Sequence, residues 1–388
     1  MACDPSSRLS RRIAIVGIGE TRYERRAARP LMALLLEAAR AALADAGLAA
    51  RDVDGIVAPG TSYAELHELA RELGVRGQFF NAAGYSGGAA VVSAPLLAAL
   101  AVDAGLASTV LCVRGLAWGT ERQGNVGQLH AEMPMKAAFE IPFGWYPQIV
   151  YFAGMARRHM ELYGTTETQL GEVAVAFRRH AALGDNALLR DKPLTLEQYL
   201  AEPYLAEPFR ASDCCLVNDG AGAFVMVDRE RAHDLRQPPV TVLGMGAGVS
   251  EEGEFASLRA DYLATAAVHS APRAFAMAGL APDDVDLVTL YDNFTSMVIQ
   301  QLEDMGFCRR GEGGPFVAGG RIALGGALPV NPSGGQLAQA FMLSMNNLCE
   351  TVRQLRGTAG ARQVEGADVG LVAGYSGSEH ATLLLGRG

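Results

Sequence analysis

Lysine is nearly absent from this chain. It occurs only as Lys136 and Lys192 in 388 residues, against 31 arginines. The skew reads as the codon bias of a GC-rich genome, not as a binding surface. No basic run occurs and the net charge is −9, so a nucleic-acid partner is not indicated. Cysteine is sparse and scattered, at Cys3, Cys112, Cys214, Cys215, Cys308 and Cys349. There is no C-x-x-C, and no His stands at zinc-ligand spacing from a Cys pair, so no metal site is expected and reduced thiols are the default. No apolar run approaches the roughly 20 residues that span a bilayer. Residues 1–12 are polar and lack the apolar core of a signal peptide. The expectation is a soluble cytoplasmic protein.

What is present is glycine and apolar surface. Hydrophobic residues are 49% of the chain and charged residues 19%, a core-rich globular balance, and the length suits two domains or one large duplicated unit. Asn81-Ala82-Ala83-Gly84-Tyr85-Ser86-Gly87-Gly88 opens a helix over residues 89–106 that carries no charge until Asp103. A helix apolar on nearly every side belongs inside a core. Its N-terminus offers free amides to a developing oxyanion. The same arrangement recurs at Asn331-Pro332-Ser333-Gly334-Gly335, before Gln336-Leu337-Ala338-Gln339-Ala340-Phe341, which predicts a second buried helix.

The recurrence is part of a duplication. Residues 12–19 (RIAIVGIG) read as a buried strand, 31–46 as a helix stopped by Gly47, 54–58 as a strand, and 108–114 as a strand. Residues 240–246 (VTVLGMG) resemble the first strand. Residues 276–289 (AMAGLAPDDVDLVT) repeat 44–57 (ADAGLAARDVDGIV) 232 positions later, with Gly279 for Gly47, Asp284 for Asp52 and Asp286 for Asp54. Residues 368–374 repeat the third strand. Four matches in register indicate two α/β halves, 1–238 and 239–388, with the site where they meet. An insertion at about 116–209, rich in Arg, His, Met and aromatics, interrupts the first half and is read as a lid or binding loop, with helices at 149–162, 167–180 and 195–200. The glycine-rich residues 309–335 are read as an ordered loop near the site; the alternative is a flexible surface loop.

Two motif matches fail. Gly17-Ile18-Gly19 follows a strand, but Arg22 stands where a dinucleotide fingerprint needs its third glycine. Gly84-Tyr85-Ser86-Gly87-Gly88 fits a serine-hydrolase elbow, with His380 in the right order. The serine-glycine turn occurs twice, however, which duplication explains and a single nucleophile does not.

Residues 213–223, Tyr291-Asp292-Asn293-Phe294-Thr295 and the run from Gly325 to Gly335 (GGALPVNPSGG) resemble the thiolase superfamily. The branch they resemble is that of the sterol-carrier-protein-X-type thiolases and the lipid-transfer-protein aldolases of steroid side-chain degradation. The resemblance covers nearly the whole chain. It implies the five-layered α-β-α-β-α thiolase fold, at least a dimer formed through the first-half sheet, and a small OB-fold partner bearing a zinc ribbon. It also implies coenzyme A as part of the substrate, with no cofactor held by this chain itself. Thiolases carry a nucleophilic Cys where this chain has Gly84 or Tyr85, a histidine where it has Asn331, and a second Cys near Gly374. Thiolytic chemistry needs a thiolate and a positioned base, which these positions do not supply.

The aldolase members use tyrosines instead. One falls at Tyr291; a second, on the second buried helix, falls where this chain has Phe341. The resemblance therefore implies a lyase that cleaves a 3-hydroxyacyl-CoA by a retro-aldol route. The alternatives are a non-catalytic acyl-CoA-binding or scaffold subunit, and another thiolase-fold acyl transfer or condensation. Tyr291 is the first candidate catalytic group, against a structural loop tyrosine. Asp292 is a loop-fixing residue or the base, and His380 a proton shuttle or a satisfied loop histidine. Asn331, with the amides of the Gly84 turn, is a candidate oxyanion holder, against an Asx turn bracing Pro332-Ser333. Tyr85, Ser333, Phe341, Gly374 and Tyr375 complete the expected lining. Arg157 and Arg158 are weak candidates for the CoA phosphates, and Cys214-Cys215 reads as packing. The acyl group is not legible.

Overall fold

In strand β1 (Ile13–Glu20) alternate side chains serve two different cores. Ala14 and Val16 join one apolar cluster, and Ile13 and Ile15 join another. A strand's period of two makes that division automatic once both faces are covered. The computed structural model describes residues 9–61, 63–76, 79–81, 86–120, 133–251 and 258–388.

The first half continues through α1 (Leu31–Ala46), β2 (Gly55–Val57), α2 (Tyr63–Leu73), β3 (Phe79–Asn81), α3 (Gly87–Asp103) and β4 (Thr109–Ala117). The insertion follows as α4 (Pro134–Phe139), α5 (Gln148–Tyr163), α6 (Glu167–Ala182), α7 (Leu196–Ala201) and the small hairpin β5 (Tyr204–Ala206) and β6 (Phe209–Arg210). Thr166 and Thr195 cap α6 and α7, each in a capping box with a Gln three residues on. β7 (Asp219–Asp228) and α8 (Arg229–Ala232) close the half. The second half runs β8 (Val240–Val249), α9 (Ala267–Ala278), β9 (Leu287–Thr289), α10 (Thr295–Asp304), α11 (Gly313–Val317), α12 (Gly335–Ala338), α13 (Met345–Arg356), β10 (Val369–Ser376) and β11 (Glu379–Arg387).

The strand order is β3-β2-β4-β7-β1-β8-β11-β10-β9, with β1 and β8 pairing antiparallel where the halves join. Each half is mixed: β4–β7 and β10–β11 are antiparallel, β2–β4 and β9–β10 parallel. α1 packs on β1, β4 and β7, and α9 on β8 and β11. α3 and α13 touch strands of both halves and form the middle layer. Five layers result: helix, sheet, central helices, sheet, helix.

The 232-residue repeat reappears as repeated hydrogen bonds. Gly47 (φ 74°) ends α1 and Gly279 (φ 68°) ends α9, both left-handed. Asp52 accepts from the Ala49 amide at 2.8 Å, and Asp284 from Ala281 at 2.8 Å. Asp54 accepts from the amides of Ser108 and Thr109, and Asp286 from those of Asp368 and Val369. Gly17 and Gly19 let α1 close on β1: an added Cβ would lie 2.2 Å and 2.3 Å from carbonyls of Ala42 and Ala38. Gly244 and Gly246 do the same for α9, so packing, not phosphate binding, explains the glycine pair of the first strand.

The second buried helix departs from expectation. It forms only four residues (α12), and 339–344 are not helical before α13 begins. Insertion residues take its carbonyls: Leu188 and Leu189 donate to Gln339 and Ala338. Phe341 thus sits in a bend, not on a helix.

Candidate active site

Tyr291 follows β9 in sequence and is 7% exposed. Its ring lies against the start of α3, where an alanine at Gly88 would bring Cβ to 2.2 Å from Tyr291 Cδ2. Gln301 Nε2 of α10 fixes its carbonyl at 2.7 Å. Phe341 lies edge-on at 6.0 Å between centroids, and Tyr375 is tilted at 6.2 Å. The aromatic contacts continue outward, Trp118 stacking on Phe341 at 4.7 Å and Phe152 meeting Tyr375 at 6.3 Å. Among the described residues the Tyr291 hydroxyl has no hydrogen-bond partner. Burial first, then the nearby Cys215, Tyr375 and Asp292, hold its phenol well above the usual value. It is a neutral donor, not a resident phenolate.

Asp292 is fully buried and caps α12, accepting from the Gln336 amide at 2.9 Å and the Leu337 amide at 3.1 Å. Burial raises its pKa to about 7, against the downward pull of those amides and of Asn331. Asn331 (φ 46°) pairs with the backbone of Leu290, Oδ1 accepting at 2.8 Å and Nδ2 donating at 3.1 Å. His180 Nδ1 meets the Asn331 carbonyl at 3.0 Å, and burial lowers that histidine to about 4. The carboxamide of Asn331 is therefore occupied in joining two loops. Ser333 is buried, receives the Gly335 amide at 3.4 Å, and lines a cavity of about 550 Å³ with Glu20, Gln339, Arg353 and Arg362.

His380 pairs with Tyr375 across the β10–β11 hairpin, and among the described residues it makes no hydrogen bond to Tyr291. On β11, its Nδ1 contacts Ser270 of the outer helix α9 at 2.6 Å. Its Nε2 is buried without a partner among the described residues, and burial lowers its pKa to about 3. Gly374 is a close-approach point, where a Cβ would stand 2.1 Å from the Gly88 carbonyl. Gly84 and Tyr85 lie outside the described residues. Arg157 and Arg158 are exposed on α5, beside Glu207 and Glu161.

Several residues of this region were not picked out by sequence. Asn218 brackets the backbone of Phe341, accepting from its amide at 2.7 Å and donating to its carbonyl at 3.3 Å. Trp118 and Phe152 supply aromatic walls. Asn293 Oδ1, Ser296 Oγ and both polar atoms of Gln300 and Gln336 are buried with no partner among the described residues. Glu379 gathers the Ser86 amide at 2.5 Å and the hydroxyls of Ser86 and Ser376 at 2.9 and 3.0 Å, tying the first-half helix α3 to the second-half hairpin. Cys215 comes near Tyr291, but burial drives its thiol upward, which disfavours the thiolate a nucleophile needs.

Residues 248–387 match the family described as thiolase C-terminal domain-like. Over 96% of this chain and 97% of the relative, the sequence is 38% identical to a steroid side-chain-cleaving aldolase of Thermomonospora curvata. It is also 38% identical to a 17-hydroxy-3-oxo-4-pregnene-20-carboxyl-CoA lyase of Mycobacterium tuberculosis, over 97% of this chain and all of that one. Among solved structures, the Ltp2-ChsH2(DUF35) aldolase superposes with a TM-score of 0.90 at 36% identity, covering 98% of this chain and 99% of that one.

Proposed function

This chain belongs to the thiolase superfamily, in the branch of the steroid side-chain-cleaving aldolases, and from that membership we propose that it cleaves a bulky 3-hydroxyacyl-CoA by a retro-aldol reaction at Tyr291. It is a carbon–carbon lyase of the thiolase fold. The β-hydroxyl loses its proton, the Cα–Cβ bond breaks, and a ketone or aldehyde leaves. The thioester enolate then takes a proton at Cα to become a shorter acyl-CoA. The observation that carries this reading is a buried phenol wedged against the N-terminus of α3, with neither a hydrogen-bond partner nor an activated thiol beside it among the described residues.

The roles follow from position. Tyr291 meets the β-oxygen. The amides of Gly87, Gly88 and Ala89 precede the first hydrogen bond of α3, Ala90 to Ser86 at 3.0 Å, and are donors for the thioester oxygen. Trp118 and Phe341 form an apolar wall suited to a flat, bulky acyl group, and the side-chain amides of Gln300 and Gln336, without partners among the described residues, suit the polar atoms of the CoA arm. By analogy with the similar assembly, a DUF35 protein, with an OB-fold and zinc ribbon, is the expected partner. A homodimer through the first-half sheet and a cytoplasmic location complete the proposal; among the described residues no helix is long and apolar enough to cross a membrane.

The test uses the chain co-purified with such a partner and a steroid-sized 3-hydroxyacyl-CoA, with products followed by mass spectrometry. Cleavage by the parent and a fall in kcat of roughly 10²–10⁴-fold for Tyr291→Phe are expected. An intact complex that leaves the ester whole refutes the lyase; cleavage unchanged by Tyr291→Phe refutes the role of that tyrosine.

A further inference from the structure

Tyr291 has an aromatic ring on either flank, and they differ in one respect. Phe341, at 6.0 Å, carries no proton and is backed by Trp118. Tyr375, at 6.2 Å, carries a phenol. It stands near the end of β10, is 1% exposed, and its carbonyl lies over Gly87 and Gly88, 3.5 and 3.1 Å from where their Cβ atoms would be. The strand end that holds Tyr375 is thus packed on the same helix turn that seats Tyr291. The Arg259 guanidinium and the Ser250 amide hold the turn beyond it, donating to the carbonyls of Gly377 and Ser378 at 2.9 and 2.7 Å. The two rings are inclined at 60°, and the contact between their hydroxyls that proton transfer needs closes only with substrate bound.

Retro-aldol cleavage moves one proton from the β-oxygen to the α-carbon. A neutral phenol can accept the first only by releasing its own. Resting on the lyase reading, we propose that Tyr375 is the second catalytic phenol, receiving the proton that Tyr291 releases and delivering its own to the α-carbon. The O–H electron pair of the substrate becomes the carbonyl π bond. The Cα–Cβ pair becomes, through the enolate, the new Cα–H bond. The β-hydroxyl proton goes to Tyr291 oxygen, the Tyr291 proton to Tyr375 oxygen, and the Tyr375 proton to Cα. Both tyrosines end neutral, and no base outside the pair is consumed.

The test compares the parent complex, Tyr291→Phe and Tyr375→Phe. Tyr375→Phe should lower kcat by about 100-fold or more while KM moves by less than about threefold, as loss of proton transfer without loss of binding requires. In D₂O the parent should exchange the α-hydrogen of the product acyl-CoA, followed by mass spectrometry, and Tyr375→Phe should not. A parent that cleaves nothing sinks the lyase reading itself. A parent that cleaves, with Tyr291→Phe inactive and Tyr375→Phe retaining parental kcat and exchange, overturns the second phenol alone. Should Tyr375→Phe fail to assemble with its partner, replacement of Tyr375 by a fluorinated tyrosine keeps the shape and lowers the phenol pKa. An unchanged pH–rate profile there also overturns the proposal, and a shifted one supports it.

Discussion

Gly88 is where the helix start meets the Tyr291 ring, and adding one methyl group there tests whether the position of Tyr291 matters. In Gly88→Ala the new Cβ would lie 2.2 Å from Cδ2 and 2.6 Å from Cε2 of Tyr291, and 3.1 Å from the Tyr375 carbonyl. Carbon atoms settle at about 3.5 Å or more, so ring and helix must part by roughly 1 Å. The helix has little freedom to retreat, because the Gly88 carbonyl already sits where a side chain at Gly374 would be. The ring moves instead, between Phe341 and Tyr375. A misplacement of about 1 Å costs on the order of 10²-fold in rate, and overpacking of this kind costs about 1–3 kcal/mol of stability. The two effects separate with a control. Gly105→Ala lies beyond the other end of α3, in open space at φ 70°, so it pays only the left-handed penalty, about 1–2 kcal/mol. Steady-state cleavage and thermal unfolding are measured on both. We expect comparable losses of stability and a loss of kcat only in Gly88→Ala. Full kcat in a folded Gly88→Ala would refute the claim that this contact sets the reacting geometry.

Asn218→Ala leaves the amide and carbonyl of Phe341 unpartnered; a loss of about 2–4 kcal/mol in denaturant unfolding is expected, and a loss under about 0.5 kcal/mol would contradict the bracket. Phe341→Tyr should change kcat by less than about threefold if Tyr375 already supplies the proton; a tenfold gain would return that role to position 341. His380→Gln tests a titration. The folded pKa of about 3 lies below the ordinary 6.5, so the unfolded chain binds the extra proton between them, and the parent loses stability as pH falls through that window. The variant should lose less between pH 6.5 and 4, read as urea midpoints, and parallel curves would refute the assignment.

The duplication was legible because its marks are local. Gly47 and Gly279 must adopt a left-handed turn, and Asp52, Asp54, Asp284 and Asp286 each satisfy backbone amides a few residues away or on the adjoining strand. Such residues announce themselves in any register. The break after α12 was not legible, because its causes lie far off in sequence: Asn218 holds Phe341, and Leu188 and Leu189 take the helix carbonyls. Tyr291 was found through its motif. Trp118 and Phe152, which pack on its neighbours Phe341 and Tyr375, come from outside that motif, and only packing joins them to it.

The two turns of the duplication share one electrostatic feature, and this bears on how the reaction runs. A helix N-terminus stabilises an anion through its free amides and dipole. Here both ends already face a carboxylate of the protein's own: Glu379 at α3 and Asp292 at α12. Each reduces the field available to a second negative charge. A long-lived enolate would be poorly served by such a site, and a buried tyrosine held above its ordinary pKa is a poor resident base. Both costs fall if the β-oxygen proton leaves, the Cα–Cβ bond breaks and Cα is protonated with little charge accumulating at any stage. Two phenols on adjoining strand ends, one from the loop after β9 and one from β10, suit that course, and the capped helices then serve to hold them in register.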